Sequence, residues 1–296
     1  FALSGSSARK LKRGSADLLA GRALQTYLFP FVYPEFKNHI TLDDAIEWGT
    51  LPSVVMEPEY RRDMLTTYVE TYLREELIQE GLIRNTSSFM RFLLVAGIMN
   101  GQSLNFENIA RESHTSRSTV QTYFEILIDT LIGFYLPSYQ PGLKVKEVSK
   151  SKFYFFDSGV ARCCAGFASY ALDQSYKGYL FETFMVNQLR AYNEYSKKHL
   201  GIYFYGIAGG NEVDLIIETK KRSTNSAAEI IAVEFKLGTR WKNDWKQGLS
   251  SLTPNKKFST KKKYVVYTGT SKFESEDILV LGAAEFLEML FKGDII

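Results

Sequence analysis

Two stretches place charge inside runs that should otherwise be apolar: Glu212-Val213-Asp214-Leu215-Ile216 and Ile231-Ala232-Val233-Glu234-Phe235-Lys236. Both read as short strands, and neither strand core needs the charge. Period-two alternation puts Glu234 and Lys236 on one face, with Phe235 on the other. Two carboxylates and a lysine converging at a sheet edge can hold a divalent cation, Mg²⁺ or Mn²⁺. Such a cation activates water, and the lysine orients it or stabilises developing negative charge. The plainer alternative is a surface aspartate and a Glu-Lys pair on an edge strand.

The pattern resembles the PD-(D/E)xK nuclease superfamily. The resemblance makes Asp214 the metal-binding aspartate of the second strand and Glu234-Phe235-Lys236 the ExK element of the third. It implies catalytic roles for Asp214, Glu234 and Lys236, with Asp214 and Glu234 as metal ligands. An upstream acid on the first helix often completes such sites, and Glu182, in Tyr179-Leu180-Phe181-Glu182-Thr183-Phe184, fits that place and is expected to be the fourth catalytic residue. The literal Pro-Asp pair is missing, because Val213 precedes Asp214.

Composition fits a protein able to bury a core: 296 residues, 45% hydrophobic and 23% charged. The length points to about two domains. The net charge of +3 is unevenly spread. Residues 181–264 carry 15 Lys+Arg against 8 Asp+Glu, leaving 21 against 25 elsewhere. A basic excess around the carboxylate strands suits a phosphate-binding surface, although Lys220, Lys221, Arg222 and Lys261, Lys262, Lys263 also suit two solvated turns. Cys163 and Cys164 are adjacent and cannot bridge each other normally. His39, His114 and His199 lie far apart, so no zinc spacing exists. No apolar run approaches the ~20 residues of a membrane span, and no signal peptide opens the chain. A cytoplasmic location and no membrane partner are expected.

The chain begins Phe1-Ala2-Leu3-Ser4-Gly5-Ser6-Ser7, an apolar strand with no initiator Met, which reads as the interior of a larger fold. Ser4-Gly5-Ser6-Ser7-Ala8-Arg9-Lys10-Leu11 and Leu19-Ala20-Gly21-Arg22-Ala23 resemble the late part of a bacterial and archaeal AAA-type ATPase group. Gly49-Thr50-Leu51-Pro52 and Tyr68–Leu73 match the lid region of that group, which continues into a nuclease-like C-terminal domain of unknown function. The resemblance implies that Ser6 or Ser7 senses the nucleotide γ-phosphate, with Arg9 or Arg22 supplying positive charge. Arg9, Lys10, Lys12 and Arg13 also read as a solvated helix face. No GxxxxGK[ST] loop occurs, so ATP is expected to bind only in an intact protein, and residues 1–296 alone should not hydrolyse it.

Between these ends lies a winged-helix pattern. Helices are expected at 89–100, 105–111 and 116–130, the last burying Val120, Tyr123, Phe124, Leu127, Ile128 and Leu131 at i, i+3, i+4, i+7 spacing. Its opposite face offers Arg117, Ser118, Gln121 and Thr122 to bases or phosphates. Wing strands are expected at 134–139 and 152–156, with Lys144, Lys146, Lys150 and Lys152. Winged helices serve protein partners as well as DNA, and Glu125 and Asp129 lie in the same helix. Further on, a helix is expected over 175–195, strands over 200–205, 212–218, 229–237 and 264–268, and a helix over 241–252 carrying Lys242 and Lys246. Upstream, Thr41 should cap a helix ending near Gly49, one long helix should run from Glu59 to about Leu82, and Ser88 should cap the helix after it.

The expectation is an α/β protein in three parts. These are an ATPase-lid remnant (1–84), a winged helix (85–168) and a restriction-endonuclease-like mixed sheet with flanking helices (169–296). The leading functional expectation is ATP-coupled action on nucleic acid, with phosphate contacts from Arg117, Gln121, Lys220, Lys221, Arg222, Lys242 and Lys246. The alternative is a non-catalytic nuclease-fold module that recruits a protein partner; an oligomer fits either.

Overall fold

The computed structural model describes residues 26–73, 77, 83, 85–140, 151–206, 212–252 and 257–296. Ser6, Ser7, Arg9 and Arg22 lie outside the described residues, as do Lys144, Lys146 and Lys150.

The first part is a set of short helices, α1 (Tyr33–Phe36), α2 (Leu42–Trp48) and α3 (Pro52–Met56). Thr41 Oγ1 accepts the Asp44 N–H and starts α2, the cap its sequence predicts. The expected long helix is built instead in pieces: a 3₁₀ turn (Pro58–Tyr60), α4 (Arg61–Thr67), then π-helical turns (Tyr68–Leu73). Pro58 has no N–H to donate and opens the segment as a tight turn. Leu65, Val69, Leu73 and Leu77 are buried at intervals of four. That interval is longer than the 3.6-residue α period and matches the widened turns.

Three helices follow, α5 (Thr86–Ile98), α6 (Phe106–Glu112) and α7 (Arg117–Asp129), and then an antiparallel ribbon of β1 (Gly133–Leu136) and β2 (Lys152–Phe155). Asn85, not Ser88, caps α5: its side-chain oxygen accepts the Ser88 N–H at 3.0 Å. Ser88 is already the third residue of the helix, which is the position an N-cap side chain reaches. α7 buries Val120, Tyr123, Phe124 and Leu127 and exposes Arg117, Ser118, Gln121 and Thr122, as the spacing requires, but Ile128 is only half-buried and Leu131, expected inside, is exposed because the helix ends at Asp129 and Leu131 takes a φ of 63°.

After α8 (Ser158–Cys164) comes α9 (Gln174–Tyr195), buried on nearly every side over its middle turns. Cys163 and Cys164 are free thiols. The buried polar groups of α9 are satisfied by neighbouring elements. Thr183 Oγ1 accepts from Asn100 Nδ2 at 2.7 Å, Asn187 Nδ2 donates to Phe155 O at 2.9 Å, and Gln188 Oε1 accepts the Tyr33 N–H at 2.8 Å. These bonds fix α9 against α5, β2 and α1, because each would cost roughly 1–3 kcal/mol if left unmade in the core.

The other side of α9 carries a six-stranded mixed sheet. Its strands are β3 (Gly201–Gly206), β4 (Glu212–Lys220), β5 (Ala228–Lys236), β6 (Phe258–Tyr267), β7 (Phe273–Ser275) and β8 (Ile278–Gly282), in the order β3-β4-β5-β6-β8-β7. β5, β6 and β8 are parallel and the other pairings antiparallel. The segment expected as one helix over 241–252 is a 3₁₀ turn (Asn243–Lys246) followed by α10 (Gln247–Ser250). β7, β8 and the closing helix α11 (Ala283–Lys292) are not among the expected elements. One apolar core, including Leu215, Ile217, Val233 and Phe235, lies on the α9 side and runs without a break from Phe36 to Ile295. A second, with Val213, Ile216, Ala232, Trp245 and Tyr267, fills the opposite face. Among the described residues no helix is long and apolar enough to cross a membrane.

Candidate functional site

A β-bulge sets up the site. Tyr203 pairs with Ile216 and Tyr205 with Val213, so Phe204 stands opposite two residues of β4, Asp214 and Leu215. Bulges re-aim side chains and interrupt pairing. Here Asp214 turns toward β5, where its Oδ2 accepts the Phe235 N–H at 2.8 Å. The ladder between β4 and β5 begins one residue later, with Leu215 opposite Val233.

Glu234 and Lys236 share one face of β5, as alternation predicts, in register with Val265 and Tyr267 of the second core. Lys236 Nζ lies 2.5 Å from Glu234 Oε1. Glu234 is only 5% exposed, and its Oε2 is buried with no hydrogen-bond partner. Buried carboxylate oxygens are ordinarily paired, so this one is an exception among the described residues.

Glu182 reaches the region from α9, on the other face. Its Oε1 accepts from Lys152 Nζ at 2.9 Å and from Tyr154 Oη at 2.5 Å, both carried by β2. Lys152 also lies 2.6 Å from Glu212 Oε1 at the start of β4, and its side chain is 3% exposed. Asp214 sits between the two groups, and its charge acts on Lys152 and Glu182 on one side and on Glu234 and Lys236 on the other. The sequence reading placed Lys152 in the wing, as one more phosphate-binding lysine. The structure buries it against carboxylates instead, because its β2 position faces α9.

The electrostatics follow from burial and crowding. Burial first, then Asp214, pushes the Glu234 carboxyl up to about 8, against the pull of Lys236. Burial pushes Glu182 up to about 7; Lys152 opposes this and Asp214 adds to it. Burial works against the Lys236 ammonium, but Asp214 and Glu234 outweigh it and raise its pKa. Carboxylates crowded in a buried site disfavour one another's charged forms.

A pH dependence follows. The folded protein keeps protons on Glu234 and Glu182 that an unfolded chain releases near its ordinary carboxylate pKa. Stability is therefore full at low pH and falls as pH rises through about 7 to 8. In EDTA, the urea midpoint should drop between pH 6 and 8.5, by on the order of 2 kcal/mol in folding free energy. Glu234→Gln should flatten that decline; an unchanged slope would show that Glu234 does not carry it.

Among the described residues no three His, Cys, Asp or Glu side chains come together in a metal-ligating group. The donor set therefore differs from a closed protein cage. It fits Mg²⁺, which typically takes one or two carboxylates and completes its shell with water and phosphate oxygens. Asp214 and Glu234 are the two carboxylates that would hold such an ion. Glu182 is committed to Lys152 and Tyr154.

The expected phosphate-binding residues are dispersed. Lys220, Lys221 and Arg222 lie at the far end of β4 from Asp214, six residues or about 20 Å along the strand. Lys220 is held by Glu229, 3.4 Å away. Lys246 lies 2.6 Å from Glu276, while Lys242 is exposed ahead of the 3₁₀ turn. On α7, Arg117 is paired with Glu107 at 3.0 Å and Gln121 is exposed beside it.

Comparison with known proteins gives two partial family matches. Residues 40–171 match a model described as a domain of unknown function, DUF8612, and residues 177–286 match another, DUF4143. The chain is similar to an uncharacterised protein of Methanocaldococcus jannaschii, 25% identical over 268 residues, covering 78% of this chain and 58% of that protein. It is also similar to an uncharacterised protein of Haemophilus influenzae, 22% identical over 181 residues, covering 55% of this chain and 45% of that protein. The chain thus spans about half the length of these relatives. No solved structure matches it significantly.

Proposed function

We propose that this chain belongs to an ATP-dependent AAA-type protein that acts on nucleic acid, and that Asp214, Glu234 and Lys236 form a divalent-metal phosphodiester-cleaving site on a PD-(D/E)xK-like sheet. The observation that carries the reading is the unpartnered, buried Glu234 Oε2, beside Asp214 and with Lys236 on the other carboxylate oxygen. α5–α7 and the β1–β2 ribbon are then the winged helix, presenting Arg117 and Gln121. The ATPase assignment rests on the resemblance of residues 4–23 and of Gly49-Thr50-Leu51-Pro52.

When bound, Mg²⁺ supplies a Lewis acid and lowers the pKa of water. Asp214 and Glu234 would hold it, with Asp214 fixed by the Phe235 N–H. Lys236, partly exposed beside Glu234, is placed to orient the attacking water and to offset charge developing on the phosphate. Glu182 positions Lys152 and touches neither metal nor substrate.

The test is a Mn²⁺ titration with Mg²⁺/Mn²⁺ cleavage assays on DNA and RNA, wild type against Lys236→Ala. Lys236→Ala should keep metal binding and lower cleavage about 10²-fold, the size of effect seen when one transition-state-stabilising group is lost. Absent metal binding would favour the second reading, a protein-recruiting module. That reading draws support from the burial of all three carboxylates and from the internal donors already on Glu182.

Nucleic-acid affinity should fall steeply with salt through counterion release. Replacing the exposed Lys221 and Arg222 with Ser should reduce the log–log salt slope by about 1–2. An unchanged slope would place the nucleic acid elsewhere.

A further inference from the structure

The mechanism above leaves one buried ammonium without a task. Lys152 is 3% exposed and bridges Glu182 on α9 and Glu212 on β4. Its Nζ lies 5.6 Å from the centre of the Phe204 ring, which closes the site on the bulge side. The backbone around it is anchored, with Lys152 paired to Leu136, Ser103 bridged to Lys152, and the Leu104 N–H on Ser151 O at 3.0 Å. Lys152 therefore enters as a fixed cation.

The charges around it can be counted. Glu182, Glu212, Asp214 and Glu234 are four carboxylates, and Lys152 and Lys236 are two ammoniums. Lys152 Nζ lies between Glu182 at 2.9 Å and Glu212 at 2.6 Å, so without it the two carboxylates face each other with no cation between them.

We propose that Lys152 is a tethered cation standing in for a second metal ion, so that the site takes one divalent ion at Asp214 and Glu234 while Lys152 keeps Glu182 and Glu212 out of its coordination shell. This inference rests on the metal-site reading above. It also makes the site composite: a residue of the ribbon, immediately after the segment 141–150, completes a site otherwise built from α9 and the sheet. Lys152 is a positioning residue, since it touches carboxylates and not the reacting atoms.

The test counts bound Mn²⁺ by calorimetry and electron paramagnetic resonance on the 296-residue chain, with folding followed by circular dichroism. Wild type should bind one ion, and Asp214→Asn should lose it. Lys152→Met should bind a second ion, which Lys152→Met combined with Glu182→Gln should lose again. Glu182→Gln alone keeps acceptors for Lys152 and Tyr154 and should bind one ion with affinity within about twofold of wild type.

One ion in both wild type and Lys152→Met, at equal affinity, overturns the inference and leaves the site reading standing. No ion in wild type but one in Lys152→Met overturns the site reading and leaves the role of Lys152 standing. No ion in either overturns both. If Lys152→Met does not fold, Glu182→Gln decides: a loss of tenfold or more in wild-type affinity makes Glu182 a metal ligand and overturns the inference, and unchanged affinity supports it.

Discussion

Asp214→Asn should abolish metal-dependent cleavage while leaving the protein folded and close to wild type in stability in EDTA. The two effects have one cause. Burial and, beside it, Asp214 raise the pKa of Glu182 and Glu234, while the same charge stabilises the ammoniums of Lys152 and Lys236. An asparagine keeps an oxygen for the Phe235 N–H and removes both the repulsion and the attraction, so the net change in stability is small. It also removes an anionic ligand. Metal-ion catalysis supplies several kcal/mol of transition-state stabilisation, so the rate should fall on the order of 10³-fold or more. Nucleic-acid affinity should hold or rise, because one negative charge near the phosphates is gone. The measurements are cleavage rates in Mg²⁺ and Mn²⁺, urea midpoints in EDTA and a binding isotherm. A variant that is destabilised and still cleaves would show that Asp214 serves the fold and not the chemistry.

The largest expected loss of stability is at Gly49. Its φ of 76° and ψ of −173° fall in a region essentially restricted to glycine. A Cβ there would lie 2.0 Å from Asp157 Oδ1, closer than any real contact. Asp157 is itself buried, with Oδ2 accepting the Thr50 N–H at 2.7 Å and Oδ1 accepting the Val160 N–H at 3.0 Å, which caps α8. Gly49→Ala must therefore strain the backbone and displace the carboxylate that joins the end of α2 to the start of α8. Backbone strain of roughly 1–3 kcal/mol and the loss of buried hydrogen bonds at roughly 1–3 kcal/mol add to about 2–6 kcal/mol. Gly166 provides the control. Its φ is 77°, but a Cβ there meets only a leucine methyl at 3.3 Å, so Gly166→Ala should carry the conformational cost with little more. Urea unfolding of both variants tests this, and equal losses would remove Asp157 from the account.

Part of this architecture was legible in the chain. α7 and β5 were placed nearly to the residue because their burial is one-sided or regular, and side-chain periodicity reports that directly. The pairing of Glu234 with Lys236 follows from period two alone. Other features were out of reach. The Gly49-Thr50-Leu51-Pro52 motif was visible as a motif, but its partner Asp157 lies 107 residues beyond Thr50. β8 was missed because the hairpin turn that leads into it, with Ser275 opposite Ile278, is made by Glu276 and Asp277 and not by the Asn-Gly or Asp-Gly pair that marks such turns. The register between Tyr203 and Tyr205, which turns Asp214 toward β5, depends on how two strands meet and not on either one's pattern.

The carboxylate site shows where the division falls. The sequence by itself determined which ionisable groups sit in apolar strands, and so that Asp214, Glu234 and Lys236 would lie near the end of a sheet. Only the tertiary structure decided which of them is satisfied. Glu182 and Glu234 are both buried glutamates with apolar neighbours; the Lys236 partner of Glu234 is legible in the strand period, but the partners of Glu182 are not. β2 brings Lys152 and Tyr154 to the first, while the second is left with one oxygen unpartnered. The charge state of a buried group is set by whatever lies within a few ångströms, and in a folded chain those neighbours come from distant positions.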